Sequence, residues 1–310
     1  MAFLCSVLSY IGAVAVMFAS YRFVNFLRVN YFVSTDLKRK YAKAGDWAVV
    51  TGATEGIGHA MALELACRGF NVCVIARTKS KLEEVVSEIE KKGVSGKSVV
   101  FDFAAAGDEE YKQLFQQLNG LGIAVLVNNV GVNYTYANYF DEADIQDDLR
   151  IIKVNCEATV RMTKYVAPHM KARGAGGIVT LASFTSIAPA PMLATYAGSK
   201  AFSKAFGESL AFELGPAGVD VLVVTPNLVV SRMTQGASSR KPKESFLMVG
   251  AAAMARQTLN KLGVVTCTSG HSNHVIVESI TKLLPKSFVG TRVLKMHQGI
   301  KKRAERKRTE

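Results

Sequence analysis

Cysteine is scarce and scattered. Cys5, Cys67, Cys73, Cys156 and Cys267 are odd in number and never form a Cys-x-x-Cys pair. Neither a disulfide framework nor a zinc site is therefore encoded, and a reducing compartment fits best. Proline is also sparse, with seven in 310 residues, and no internal repeat is visible, so disorder is expected only near the ends. Acidic residues are in deficit, 25 against 38 Lys and Arg, which leaves a net charge of +13. Much of that excess lies between Lys301 and Arg308 and in short loops rather than along one helix, and no nucleic-acid-binding motif accompanies it. Nucleic acid is not the expected partner. A hydrophobic fraction of 49% is enough for a large core, and a chain of this length can form one α/β domain with appendages.

Charge is missing altogether from Ala2 to Tyr21. The length of that run matches the ~20 residues that a helix needs to cross a bilayer. A cleaved signal peptide would begin with positive charge and end in a small-residue site, whereas here Arg22, Arg28, Lys38, Arg39 and Lys40 all follow the apolar run. A membrane span is favoured over a signal peptide or a buried helix, and the positive-inside tendency puts the following domain in the cytoplasm. Tyr21, Phe23, Phe26, Tyr31 and Phe32 would lie near the interface.

From Asp46 onward short β-rich runs alternate with longer helical stretches, the pattern of parallel strands joined by helical crossovers. The strands are expected at 47–51, 71–76, 98–103, 124–128, 177–182 and 219–225, with a seventh near His274 to Val277. Helices are expected at 57–68, 79–92, 143–170 and 194–213. The architecture is an open doubly wound parallel sheet, a Rossmann fold, behind an N-terminal transmembrane helix. Ser231 to Ser245 is polar and basic, either a solvated loop or one that closes over a site.

Three glycines punctuate the first strand-to-helix turn, Thr51-Gly52-Ala53-Thr54-Glu55-Gly56-Ile57-Gly58. Such a turn lets backbone approach a pyrophosphate while the helix N-terminus offers unpaired N–H groups and a favourable dipole. Further on, Tyr196 and Lys200 are four residues apart in a helical stretch and so share a face. An ammonium beside a phenol of pKa ~10 lowers that pKa and makes acid–base work possible near neutrality.

The spacing Thr-Gly-x-x-x-Gly-x-Gly, then Asn128-Asn129-Val130-Gly131, Asn155, Ser183 and Tyr196-x-x-x-Lys200, in this order, resembles the short-chain dehydrogenase/reductase family. The resemblance covers nearly everything from Trp47 to about Ser231. It implies that Tyr196 gives a proton to a carbonyl oxygen, Ser183 hydrogen-bonds the same oxygen, and Lys200 tunes the tyrosine and holds the nicotinamide ribose. Asn155 would hold a water of a proton relay. Gly52, Thr54, Gly56, Ile57 and Gly58 would line the cofactor's pyrophosphate, Asp102 its adenine, and Asn128, Val229 and Ser231 the remaining cleft, with Tyr196 and Lys200 also touching the cofactor. Arg77 stands where NAD enzymes present an acid to the ribose, which favours the 2′-phosphate of NADPH. Two departures stand out. Glu55 occupies a position that is basic in some NADP-preferring relatives, and Pro226-Asn227 replaces the usual Pro-Gly; Asn tolerates positive φ better than most residues, so that turn can survive.

Asn-Asn-Val-Gly followed by Asn133-Tyr134-Thr135-Tyr136-Ala137-Asn138-Tyr139-Phe140 resembles the branch of microsomal very-long-chain 3-oxoacyl-CoA reductases and 17β-hydroxysteroid dehydrogenases. The expected activity is NADPH-dependent reduction of a long-chain 3-oxoacyl-CoA in fatty-acid elongation, ahead of steroid oxidoreduction or a silent scaffold for other elongation enzymes. Arg232, Arg240, Lys241 and Lys243 would attract CoA phosphates. The resemblance also implies a homodimer, paired through the helices carrying Asn155 and Tyr196, and residence in the endoplasmic reticulum membrane facing the cytosol. Lys307-Arg308 loosely resembles a dilysine retrieval signal, although the tail considered alone reads first as a solvated charged end. The expected organisation is an anchor over 1–45, a catalytic domain over 46–285 and a basic tail over 286–310.

Overall fold

The computed structural model describes residues 2–41, 46–231, 234 and 243–309. Arg232, Arg240 and Lys241 lie outside the described residues, and of Lys307 and Arg308 only the backbone is described. The chain separates into two compact units, Met1–Ser34 and Thr35–Glu310. The first consists of helix α1 (Ala2–Leu27) and a π-helical turn, Arg28–Phe32. Among the described residues, Phe3–Phe32 is the one helical stretch long and apolar enough to cross a membrane, and its apolar window has nothing packed around it.

The second unit runs α2 (Leu37–Tyr41), β1 (Trp47–Thr51), α3 (Gly56–Cys67), β2 (Asn71–Ala76), α4 (Lys79–Glu90), β3 (Gly96–Val100), α5 (Asp108–Leu118) and β4 (Ile123–Asn128). It continues with α6 (Ile145–Ile152), α7 (Ala158–Arg173), β5 (Gly176–Leu181), α8 (Ala194–Leu214), β6 (Val219–Val224), β7 (Leu228–Val229) and β8 (Met248–Val249). Then come α9 (Ala251–Leu259), β9 (Cys267–Thr268), α10 (Ser272–Leu283) and α11 (Lys286–Thr309). Seven strands form one parallel sheet in the order β3-β2-β1-β4-β5-β6-β9, while β7 and β8 make a small separate ladder. The doubly wound parallel sheet is thus as the alternation of elements foretells.

Both faces of the sheet are covered, so its strands read as continuous apolar runs rather than alternating ones. Alternate residues feed opposite cores. Val50, Val72 and Val74 pack with Met61, Leu65, Met254 and Leu259 on one face. Val49, Cys73, Ile75, Leu126 and Ile178 pack with Leu114, Leu118, Met162 and Val166 on the other. Each wholly buried Val, Leu or Ile contributes ~1.5–3 kcal/mol, so the two layers together outweigh any single polar contact in the site.

Two expectations are corrected by the fold. The seventh strand is Cys267–Thr268, which pairs with Val223 and Val224; His274 to Val277 lies inside α10 instead. The helix expected across 143–170 is interrupted by a π-helical turn at Lys153–Glu157 that separates α6 from α7. Hydrophobic periodicity alone does not register one extra residue in a turn. The basic end is helical as well, and His297 within it is buried.

Candidate active site

The sheet's topological switch lies between β1 and β4: from β1 the chain winds outward to β3, then returns to β4 on the other side. Ligands of such folds sit in the crevice outside the carboxyl ends of the strands at that point. The glycine turn and every other predicted site residue lie at or just after the carboxyl end of a strand, or on α3, α8 or the turn before α7.

Gly52 and Gly56 have positive φ (64° and 60°), a conformation that side chains other than glycine's rarely adopt. Gly58 is needed for closeness instead: a Cβ there would lie 2.3 Å from Asn129 Nδ2 and 2.4 Å from the Gly52 oxygen. Asn129 donates from that nitrogen to the oxygens of both Thr51 and Gly52 at 3.0 Å. The Thr51 hydroxyl accepts from the amides of Asn129 and Val130 and donates to the Val127 oxygen. The segment after β4 is thereby locked beneath the turn. The N-cap residue Glu55 makes no side-chain cap on α3, and among the described residues the helix's leading amides are left for an anion.

Arg77 and Asp102 are exposed and follow the ends of β2 and β3, neighbouring strands whose last pair is Ala76 with Val100. Glu55, the acid at the head of α3, is paired with Lys81 on α4, so its charge is met by a lysine from the helix that follows Arg77. Ser231 reaches the turn from the far side: a Cβ on Gly56 would come within 3.1 Å of its Cβ. Val229 is buried in β7. Asn128 donates to Thr163 Oγ1 at 2.9 Å, while its own side-chain oxygen is buried without a partner. The positive-φ glycines, the uncapped helix and this orphaned oxygen together fit a dinucleotide.

The catalytic candidates converge beyond the ends of β4 and β5. Ser183 accepts from the Thr185 amide at 3.2 Å and hydrogen-bonds the buried Tyr196 hydroxyl. Burial raises the Tyr196 pKa, and the Ser183 bond works against that rise. Lys200 donates to the Leu181 oxygen at 2.9 Å, with its nitrogen 5.9 Å from the Tyr196 ring centre. Its ammonium is pushed down to about 8 by burial. The sequence suggests a lysine that lowers its tyrosine, whereas the balance at Tyr196 favours the protonated phenol at neutral pH, the form that donates a proton to a carbonyl oxygen.

Asn155 sits in the π-helical turn, where its side chain is fully engaged. It accepts from the Val132 amide at 2.8 Å and donates to the Val132 oxygen (3.0 Å) and Ser199 Oγ (2.9 Å). It therefore ties the segment after β4 to α8, and Gly131 packs closely between them, where a Cβ would lie 3.2 Å from Lys200 Nζ and 3.3 Å from Asn155 Oδ1. Thr51, Asn129, Thr163 and Ser199 carry much of this geometry. Thr51, Asn129 and Ser199 lie within the sequence motifs, but nothing local marks Thr163.

After β6, Asn227 needs no left-handed backbone, since Met192 (φ 68°) is the one non-glycine residue of positive φ among those described. The turn is held differently: the Asn227 amide donates to His274 Nδ1 at 3.3 Å, and the Asn227 side chain accepts from the Leu228 amide. Burial, assisted by His271, lowers His274 to about 4, so its ring is neutral and able to accept. On the opposite rim α11 closes over two loops. His297 Nδ1 meets the Pro191 oxygen at 2.6 Å, Gln298 donates to the Tyr139 hydroxyl at 2.8 Å, and Lys301 pairs with Glu142. Those loops are themselves joined by the Asn138 amide, which donates to the Met192 oxygen.

A switch-point crevice with an uncapped phosphate turn, a protonated tyrosine, a serine and a buried lysine defines a nicotinamide-dependent oxidoreductase. The short chain dehydrogenase family model matches residues 46–242, and the chain belongs to that family. A very-long-chain 3-oxoacyl-CoA reductase of Podospora anserina is 36% identical over 308 residues, covering 96% of this chain and 89% of its own. One from Scheffersomyces stipitis is 40% identical over 250 residues, with 77% and 71% covered. Among solved structures, an actinorhodin polyketide ketoreductase with NADPH aligns with TM-score 0.63 and 25% identity, covering 73% of this chain and 95% of that one.

Proposed function

We propose that this protein reduces a long-chain 3-oxoacyl-CoA to the 3-hydroxyacyl-CoA with NADPH, within fatty-acid elongation. The observation that carries the reading is the likeness to reductases of that name along 96% of the chain, with Ser183, Tyr196 and Lys200 converging in the site. Bound NADPH supplies the hydride. Tyr196 then delivers its proton to the carbonyl oxygen, Ser183 holds that oxygen, and Lys200 restores the proton balance while holding the ribose. Arg77, exposed beside the cleft, is suited to the 2′-phosphate, and Asp102 to the adenine. The uncharged run of α1, with Arg22 and Arg28 after it, supports an endoplasmic reticulum anchor and a cytosolic catalytic unit. Exposed Leu149 and Ile152 on α6 and Phe202 on α8 support a homodimer through those helices.

The test follows NADPH consumption by the full chain in detergent with a long-chain 3-oxoacyl-CoA and, in parallel, a 17-ketosteroid. Acyl-CoA turnover is expected, and Tyr196→Phe should lower it by roughly 10²–10⁴-fold. Arg77→Ser should raise KM for NADPH about tenfold to a hundredfold with little effect on NADH, the share of a charge-assisted bond of ~1.5–3 kcal/mol. Turnover of the steroid alone, or NADPH binding without turnover of either, would overturn the proposal.

A further inference from the structure

The junction between α10 and α11 reads Lys282-Leu283-Leu284-Pro285-Lys286-Ser287-Phe288, and every residue of it is exposed. Leu283 is 85% exposed, with Ile280 at 55%, Phe288 at 49% and Leu284 at 41%. Single exposed apolar residues are ordinary, but four within nine positions of one knee form a patch that asks for a covering.

Helix α11 has two opposed faces. At 3.6 residues per turn, Gly290, His297 and Lys301 share the side that closes on the site loops, where a Cβ on Gly290 would lie 3.5 Å from Pro189. Phe288, Arg292, Lys295 and Met296 fall on the other side, and all four are exposed. Arg292 lies over the Phe288 ring at 5.3 Å. Between Glu278 and Glu305 the chain has no acidic residue and seven Lys or Arg. Lys282 answers Glu278 at 2.5 Å and Lys301 is paired with Glu142, so the outward charge of this surface comes from Lys286, Arg292, Lys295, Lys302 and Arg303, all exposed.

We propose that this knee and the outward face of α11 seat on an anionic lipid surface, with the apolar side chains entering the headgroup boundary. Leucine and phenylalanine beside basic side chains with long aliphatic stems are the composition of an interfacial helix, and each cation near anionic headgroups adds attraction. A protein surface would need acidic side chains spaced to match these cations, whereas a bilayer accepts them in any order. The seat has a consequence for the site. A cavity of about 110 Å³ lies between the knee and the loop after Ser183, lined by Ile187, Ala188, Pro189, Leu284 and Val289, so docking brings lipid to its mouth. The proposal stands whether the substrate is an acyl-CoA or a steroid.

Trp47 is the only tryptophan of the chain, which makes Phe288→Trp a readable probe. The full-length variant is reconstituted in vesicles of phosphatidylcholine and phosphatidylserine whose acyl chains are brominated near the glycerol, with the parent chain giving the Trp47 background. The added emission should be quenched about twofold or more, since an interfacial face lies roughly 5–10 Å deep. Quenching should weaken without phosphatidylserine, in high salt, and when Lys286→Glu is added. Unquenched, water-like emission would overturn the proposal, as would blue-shifted but unquenched emission, which would mean that protein covers the knee. Quenching indifferent to lipid charge would overturn the assignment of an anionic surface.

Discussion

The two rims of the crevice are built by opposite means. On the cofactor rim, Gly52 to Gly58 and Asn128 to Gly131 fit backbone against backbone, with no room for a single added carbon at Gly58. On the opposite rim, the loops at 138–142 and 187–192 are joined to each other by one backbone bond, Asn138 to Met192, and to α11 by side chains more than a hundred positions away, such as His297 on Pro191. A rim made of contiguous backbone is stiff and intolerant. One made of a few distant contacts can yield piecewise.

That contrast can be broken at one methyl group. Gly58→Ala should place its Cβ inside the Asn129 contact, cost ~1–3 kcal/mol of stability and weaken NADPH binding about tenfold or more. Gly299→Ala on α11, where nothing lies within 4 Å, should be neutral or stabilise by up to ~1 kcal/mol through helix propensity. Thermal melts and NADPH titration of both variants check this, and equal effects would erase the difference between the rims.

The pH dependence sharpens the same comparison. Burial makes folded Lys200 hold its proton less tightly than the unfolded chain does, so between about 8 and 10.5 this group's contribution to stability rises with pH. In the proposed mechanism reduction draws on the protonated forms of both Tyr196 and Lys200, and the rate should fall as pH climbs past about 8. A rate profile that stays flat well beyond that point would show that the Lys200 proton is not used. The smallest effect belongs to the yielding rim: His297→Ala should raise KM for the acyl substrate about fivefold, the share of a ~1 kcal/mol hydrogen bond, without changing NADPH affinity. A matching change in NADPH affinity would mean that the rims are coupled.

The same division decides what could be read from the sequence. The glycine turn, Asn128 to Gly131 and Tyr196-x-x-x-Lys200 are local patterns whose spacing carries their geometry, and they were legible. The sheet was too, because strands covered on both faces stand out as short apolar runs. What escaped depends on distance or on phase. His274 lies in an apolar stretch that reads as a strand, yet α10 brings it under Asn227. Nothing near Thr163 announces that it satisfies Asn128 across 35 positions. The basic end reads as a solvated tail until one sees which face of α11 is turned inward.

The π-helical turn at Lys153–Glu157 has a mechanical meaning. In an α-helix each residue advances the phase by about 100°, and a wide turn absorbs one extra residue without rotating the helix beyond it. It works as a gear that lets α6 and α7 keep different phases: Ile151 faces inward before the turn, and Thr159, Met162 and Thr163 face inward after it. Deleting one residue within 153–157 would let the helix run on unbroken while turning Thr163 away from Asn128 and Met162 out of the core. So small a deletion would disengage the Asn155 clamp and the cofactor cleft together, which makes the chain's length at this point as much a part of the site as any side chain.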